Sequence, residues 1–308
     1  MVEHGTTGGN GISPNHVSLA EHVTELIRRA STDLPEDVVE AIERSRALED
    51  PGSSAHTALG AILDNIALAR TQSTPICQDT GTLIFRIHYP FGWSTLDIAR
   101  DVKAGVAEAT AKYYLRPNCV HPLTGKISTD NIGIDYPTMH FEEWGKDYLR
   151  FDLILKGGGC ENVGVQYSLP FLEIDAGRDL TGVKKVVLHA IHSAQGMGCG
   201  PGIIGVGIGG DRGSSYWLSK QQLYRRLDDT NEIPELAEAE AELFELGNQL
   251  DIGPMGFGGH TTVLAVKMGI QHRLPASFFV SMSYMCWADR KQVMIVRDDD
   301  VSYDEGVS

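Results

Sequence analysis

The stretch Cys77-Gln78-Asp79-Thr80-Gly81-Thr82 marks the point where a helical pattern gives way to a strand pattern. Before it, apolar residues recur at helical spacing over residues 16–72, in three groups, the second of which follows Pro35. After it, the apolar run 83–89 is typical of a strand and is closed by Pro90. We therefore expect three helices to lead into this turn and a sheet to begin after it.

The rest of the chain alternates helical and strand patterns. Helices are predicted over residues 97–114, 182–194, 215–227 and 234–250, and strands over residues 148–155, 261–268, 277–285 and 292–296. Glycine-rich stretches at 157–159 and 202–210 are interpreted as strand ends, where backbone amides can meet a ligand. The fold class predicted is α+β, a helical N-terminal segment followed by mixed β-sheets with flanking helices. Residues 17–300 are expected to form one domain between flexible tails at 1–16 and 301–308.

Composition excludes several classes of protein. The net charge is −15 at pH 7, with scattered Lys and Arg, so nucleic acid is not expected as a partner. No apolar run reaches the length of a membrane helix, and the first sixteen residues do not resemble a signal peptide. A soluble, cytoplasmic protein without membrane contact is expected. Five cysteines, an odd number, favour metal or catalytic roles over a disulfide framework.

Three of the cysteines lie in unusual surroundings. Cys77 precedes an amide and a carboxylate, Cys199 lies among four glycines, and Cys286 ends an apolar run. Three thiolates from remote segments can hold an inorganic cluster and leave one iron open as a Lewis acid. Each has a simpler explanation as a capped turn or a buried thiol, and none shows the close spacing of a zinc site. Cys119 and Cys160 are expected to line a site or the core.

Two other motifs suggest different chemistry. Residues 205–210 fit the pattern GxGxxG of dinucleotide-binding folds, but the acidic pair Asp228-Asp229 follows a helix and not a second strand. Nicotinamide binding is therefore disfavoured, although tight NAD binding abolished by a bulky residue at Gly207 would restore it. Ser214 and Ser215 lack the GxSxG turn of a hydrolase. A lone histidine such as His272 is ordinarily structural, although Arg273 beside it favours anion binding.

Five motifs together resemble one family. They are Pro75–Gly81, Lys156–Asn162, Cys199–Gly210, Gly253–Thr262 and Cys286-Trp287-Ala288. In this order, over about residues 20–297, they are similar to the alpha subunit, or N-terminal domain, of the class I fumarase and L(+)-tartrate dehydratase family of iron–sulfur hydro-lyases. Cys199-Gly200-Pro201 departs from the family's Cys-Pro-Pro.

The resemblance implies a role for particular residues. It implies a 4Fe-4S cluster held by Cys77, Cys199 and Cys286, catalytic roles for Asp79 and Gln78, and substrate contacts by Arg116, Gly158, Gly159 and His272. Asp79 is the candidate proton donor or acceptor at the leaving hydroxyl, and the Arg116 guanidinium suits a carboxylate. His272 takes the family's histidine role only with a two-residue shift, because Leu274 occupies that position.

The resemblance also implies partners and a reaction. The expected substrate is a small dicarboxylate, most simply malate and fumarate, with L(+)-tartrate or mesaconate as alternatives. A beta subunit carrying the second catalytic domain is expected to complete the site, in a dimer of heterodimers. A non-catalytic protein that carries or senses an iron–sulfur cluster is the hypothesis from another class.

Overall fold

A computed structural model describes residues 19–297 and 300–304, so the predicted tail at 1–16 lies outside the described residues. The helices are α1 Leu19–Thr32, α2 Glu36–Leu48, α3 Ser54–Gln72, α4 Thr95–Ala111, α5 Gly158–Asn162, α6 Leu180–Ala194, α7 Arg212–Gln221 and α8 Pro234–Asn248. The strands are β1 Thr82–Pro90, β2 Thr138–Trp144, β3 Leu149–Lys156, β4 Val165–Ser168, β5 Gly202–Gly209, β6 Val263–Gln271, β7 Phe279–Met285, β8 Lys291–Arg297 and β9 Asp300–Asp304. No helix in these ranges is long and apolar enough to cross a bilayer.

The strands form two mixed sheets. A five-stranded sheet has the order β2-β1-β3-β8-β9, in which β1 and β2 are parallel and the other pairs antiparallel. A four-stranded sheet has the order β4-β7-β5-β6, in which β5 and β6 are parallel. The α+β prediction, with a helical N-terminal segment and mixed sheets, is therefore confirmed.

Two hydrophobic clusters hold these layers together. One lies between α1, α4 and the five-stranded sheet, and it includes Val23, Val102 and Phe85. The other joins α2, α3, α6 and α8 to the four-stranded sheet, and Ile84 and Ile154 extend into it from the five-stranded sheet. The five-stranded sheet therefore lies between the two clusters, with Ile84 and Ile154 facing the second one.

Local sequence explains the helix starts. The apolar stripe predicted for the first helix is buried along α1. Ser53 caps α3 by accepting a hydrogen bond from His56 N at 3.0 Å. Asp211 caps α7 by accepting from the amides of Gly213 and Ser214, and Ser214 Oγ accepts from Asp211 N in return. Ser214, weighed as a hydrolase residue, therefore caps a helix.

Several elements differ from the predictions. The helix predicted over 215–227 begins at Arg212 and ends at Gln221, followed by a 3-10 turn, Gln222–Tyr224. The glycine-rich stretch 202–210, interpreted as a strand end, is strand β5 itself over Gly202–Gly209. β2, α5 and β4 were not predicted, because β2 is a half-exposed edge strand and the other two are only five and four residues long. β9 adds an edge strand in part of the segment assigned to a tail.

Candidate active site

Cys199 and Cys286 lie together at one end of the four-stranded sheet. β5 and β7 are antiparallel and pair Ile203 with Met285, so the residues before β5 lie beside the residues after β7. The two segments are joined directly, because Trp287 N donates to the carbonyl oxygen of Cys199 at 3.3 Å. The sheet therefore brings together two cysteines that are far apart in the sequence.

Asp79 joins the Cys77 turn to the segment that contains Cys160. Asp79 Oδ1 accepts a hydrogen bond from Gly81 N at 3.0 Å, and Oδ2 accepts from Gly158 N at 2.7 Å. Cys160 follows two residues later in α5, with its Sγ 3.1 Å from the Gly157 carbonyl oxygen. The carboxylate predicted to be catalytic is thus held in a fixed orientation by two backbone amides.

The thiols of Cys77, Cys160 and Cys286 lie close enough to Cys199 or to one another to influence ionisation at the site. Burial raises the pKa of Cys199, and the charges of Cys160 and Cys77 raise it further. A hydrogen bond with Cys286 lowers the pKa of Cys160 to about 6, against the opposing effect of burial and with the help of Lys156. The same bond raises the pKa of Cys286. All four thiols are free. The structure therefore places Cys160, which was not predicted as a ligand, among the three cysteines that were.

Glycines beside Cys199 are required by packing. A Cβ on Gly198 would lie 2.4 Å from the Tyr284 ring, and one on Gly202 would lie 2.3 Å from it. Cys199 itself has left-handed backbone angles, φ 56° and ψ 55°, which residues with a side chain rarely adopt. The loop is therefore pressed against Tyr284 with its cysteine in a strained conformation, a feature that recurs at functional sites.

Arg116 lies beside the same turn, as predicted for a substrate-binding residue. Thr80 Oγ1 accepts hydrogen bonds from Arg116 N at 3.1 Å and from Asn118 Nδ2 at 3.0 Å. The Arg116 side chain is exposed and makes no ion pair with the described residues. An exposed guanidinium without a carboxylate partner, on a backbone joined to the Asp79 turn, is available to an anionic ligand.

Asn131 supports this arrangement, although the sequence analysis did not identify it. Its side chain is buried, with Oδ1 accepting from the amides of Asn118 and Cys119 and Nδ2 donating to the Arg116 carbonyl oxygen and Thr110 Oγ1. It has a left-handed φ of 58°, which asparagine tolerates better than most residues. No local pattern marks it, since its partners lie 12 to 21 positions away.

A cavity of about 930 Å³ opens beside Asp79 and Gly158. Its opposite wall is formed by residues 118–136, an arm held by the isolated bridge between Val120 and Ile127. Cys119 lies in this wall, where burial raises the pKa of its thiol. Cys119 therefore lines a cavity, the role expected for it, and it is not grouped with the other four thiols.

The remaining predicted site residues differ in their placement. Gln78 and Gly159 are exposed at the same end of the fold, next to Asp79 and Gly158. His272 lies elsewhere. β6 runs parallel to β5 from beside Gly202 to beside Gly209, and His272 follows the last residue of β6. The length of the strand separates His272 from Cys199 by roughly 25 Å. Within this chain β6 thus carries His272 to the opposite end of the sheet from Cys199, and its substrate-binding role stays a prediction.

The donor set fits a cluster better than a single ion. Among the described residues, no three His, Cys, Asp or Glu side chains are close enough to hold one metal ion. A cluster binds each thiolate through a different iron, so its ligands stand farther apart than those of one ion. Free thiols from separate segments, with the buried cations Lys156 and Arg290 beneath them, suit an anionic cluster.

Comparison with known proteins agrees with this geometry. The model of the family described as fumarate hydratase (Fumerase) matches residues 20–295, which include every element of the site. The chain belongs to this fumarase family. Members of the family generally depend on an iron–sulfur cluster. The resemblance stated from the five motifs is thus confirmed.

Individual relatives of this fumarase-family chain carry two kinds of name. It is 50% identical over 277 residues to a Geobacillus stearothermophilus protein named as a class I fumarate hydratase, matching 89% of this chain but 54% of that protein. It is 35% identical to a Methanocaldococcus jannaschii protein named as the alpha subunit of an L(+)-tartrate dehydratase, covering 99% of that protein. It is 29% identical to the L(+)-tartrate dehydratase subunit alpha of Escherichia coli K12. The chain thus spans about half of the first relative and nearly all of the second.

Proposed function

We propose that this chain is the alpha subunit of a 4Fe-4S hydro-lyase that reversibly dehydrates a 2-hydroxy dicarboxylate, most simply malate to fumarate. The proposal rests chiefly on one observation, the approach of Cys77, Cys199 and Cys286 from three segments to a place beside Asp79 and Arg116. A cytoplasmic location remains part of the proposal.

The side chains of the site have separate tasks in such a reaction. The cluster, when bound, supplies an open iron that assists departure of the hydroxyl as a Lewis acid. Arg116 binds a substrate carboxylate through its free guanidinium, and the exposed amides at Gly158 and Gly159 border the same space. Asp79, oriented by two backbone amides, exchanges a proton at the leaving hydroxyl, with Gln78 beside it. Removal of the other proton requires a base that we assign to the partner subunit.

The partner is proposed to cover this end of the fold. Exposed apolar side chains surround the site on two sides, Met197 and Phe257 near Cys199, and Leu123 and Ile134 on the arm 118–136. Apolar side chains grouped in this way are typical of surfaces that another protein covers. The names of two relatives as alpha subunits, and the part of the Geobacillus protein that this chain does not cover, support a beta subunit in this position. A dimer of heterodimers is proposed for the assembly.

The fourth thiol supports a second candidate function. If Cys160 also bound iron, the cluster would have four protein ligands and no open iron, as expected of a non-catalytic cluster protein. The burial of Cys160, in contrast to the partly exposed Cys77, Cys199 and Cys286, favours the three-ligand arrangement. Replacing Cys160 with Ser distinguishes the two: a catalytic site keeps its cluster and turnover, whereas a four-ligand cluster is lost.

Anaerobic purification tests the proposal directly. We expect a bound cluster, visible in the absorption spectrum, and malate dehydration only when the beta subunit is added. C77A should abolish both, and C119A, which changes a cysteine outside the thiol group, should keep the cluster. Turnover compared on S-malate, L-tartrate and mesaconate identifies the substrate. Protein that carries no iron, together with a C77A variant that behaves as wild type, would refute both candidate functions.

A further inference from the structure

Arg290 is a buried cation without an anionic partner in the described part of the chain. Its side chain is 1% exposed, and it forms no ion pair there. Neighbouring buried lysines do have partners, since Lys156 lies 2.6 Å from Glu161 and Lys291 lies 2.8 Å from Asp289. Arg290 Nε also has no hydrogen-bond partner.

Such a charge is unfavourable unless an anion compensates it. Removing a cation from water costs several kcal/mol even after the protein relaxes, and arginine does not lose its proton to avoid that cost. The compensating anion must therefore be an anionic ligand that the folded chain binds near Arg290, or a side chain that ionises there. The two carboxylates near Arg290 form no ion pair with it: Asp289 forms an ion pair with Lys291, and Asp79 accepts hydrogen bonds from backbone amides.

The Arg290 guanidinium is surrounded by the segments that carry the cysteines of the site. Arg290 Nη1 donates to the Asp79 carbonyl oxygen at 2.6 Å, and Nη2 would lie 3.6 Å from a Cβ on Gly157. The guanidinium thus lies under both the Cys77 turn and the segment leading to Cys160. Arg290 follows Cys286 by four residues, and the Ala288 carbonyl oxygen lies 3.8 Å from Cys286 Sγ and accepts a hydrogen bond from Arg290 N at 2.9 Å. The segments that carry Cys77, Cys160 and Cys286 therefore converge on this buried cation.

We propose that Arg290 is a positioning residue for the cluster: its charge balances the thiolates and the anionic cluster they hold, and its bond to the Asp79 carbonyl fixes the turn 77–82. This inference rests on the proposed iron–sulfur function. A cation next to the cluster favours the state with one more electron, so its loss lowers the midpoint potential of the cluster. Loss of the bond to Asp79 frees the turn that carries one ligand and one catalytic carboxylate.

Two substitutions distinguish the charge of Arg290 from its bond to the Asp79 carbonyl. Both are made in the full chain, which is loaded with iron and sulfide in the absence of oxygen. R290Q removes the charge, whereas R290K keeps it but loses the fork that reaches the Asp79 carbonyl. R150Q is the matched control, because Arg150 pairs with Asp152 at 2.7 Å in β3, six residues before Lys156. The measurements are iron release to a chelator, midpoint potential by redox titration, and amide exchange of residues 77–82 in unloaded chain.

R290Q is expected to release iron about tenfold faster than wild type and to have a lower potential, while R150Q changes neither. R290K is expected to keep the wild-type potential and to show faster amide exchange in the turn 77–82. If R290Q does not fold, R290K tests the proposal by itself. Amide exchange of residues 77–82 at the wild-type rate in R290K would show that the bond from Arg290 to the Asp79 carbonyl does not fix the turn. A wild-type midpoint potential and wild-type iron release in cluster-loaded R290Q would refute the role of Arg290, and so would equal shifts in R150Q. Either result would leave the proposed function untouched. A wild-type chain that takes up no cluster overturns the proposed function instead.

Discussion

Replacing Gly207 with alanine should destabilise the fold, because α7 lies directly against β5. A Cβ on Gly207 would lie 2.2 Å from the Ser215 carbonyl oxygen and 2.8 Å from Ser219 N. Both are backbone atoms of a helix that also packs on β7, so no flexible side chain can move aside to make room. Gly205 has the same relation to the Ser219 carbonyl oxygen, at 2.1 Å. The GxGxxG pattern is thus explained by helix packing without a nucleotide.

The magnitude follows from that overlap. Inserting one methyl group into a well-packed interior costs about 1–3 kcal/mol, and displacing a helix backbone lies at the upper end. We expect G207A to lose about 3 kcal/mol, roughly a hundredfold in the ratio of folded to unfolded protein. The residue has an ordinary φ, so backbone strain is not part of the effect.

Urea unfolding followed by circular dichroism measures this loss. Two alanine variants serve as controls: Gly145 has no atom within 4 Å of its added Cβ, and Gly60 in α3 meets only the flexible Arg46 side chain at 3.4 Å. G145A should stay within about 0.5 kcal/mol of wild type, and G60A should gain up to about 1 kcal/mol from helix propensity. A G207A variant as stable as wild type would refute the packing argument. Tight NAD binding that G207A abolishes would instead restore the dinucleotide interpretation.

Three further predictions concern carboxylates that are half-buried or buried. D79N leaves an amide facing the Gly158 N–H, and malate dehydration per bound cluster should fall about 100-fold or more; undiminished turnover would exclude a proton-transfer role. E49A removes the acceptor of the His260 and Thr261 amides and should lower the free energy of unfolding by about 2 kcal/mol in urea; an unchanged midpoint would show that water replaces the carboxylate. Asp152 is buried, which raises its pKa, but His88 and Arg150 outweigh burial and lower it below 3.8. Its ion pairs therefore stabilise the fold at neutral pH, and this stabilisation declines as pH falls below about 4 towards the lowered pKa of Asp152, so D152N should cost about 3 kcal/mol at pH 7 and less at pH 3; an equal loss at both pH values would contradict this.

Much of the fold could be predicted because its signals are local. The stripe along α1 and the turn chemistry around Asp79 depend on residues within a few positions of one another. The elements that were missed, β2 and β4, are edge or very short strands whose patterns are not distinctive. The position of His272 could not be predicted for a different reason, since it depends on the direction of β6 relative to β5.

The sequence by itself determined the helical entry, the mixed α and β character and the identity of the three candidate cysteine ligands. Only the tertiary structure decided which side chains surround them. It placed Cys160 among the thiols, made Asn131 the support of Arg116, and set Arg290 beneath the turn. The physical reason is separation along the chain: Arg290 bonds to Asp79 across 211 residues, so that their contact exists only when β1 and β8 have joined the same sheet.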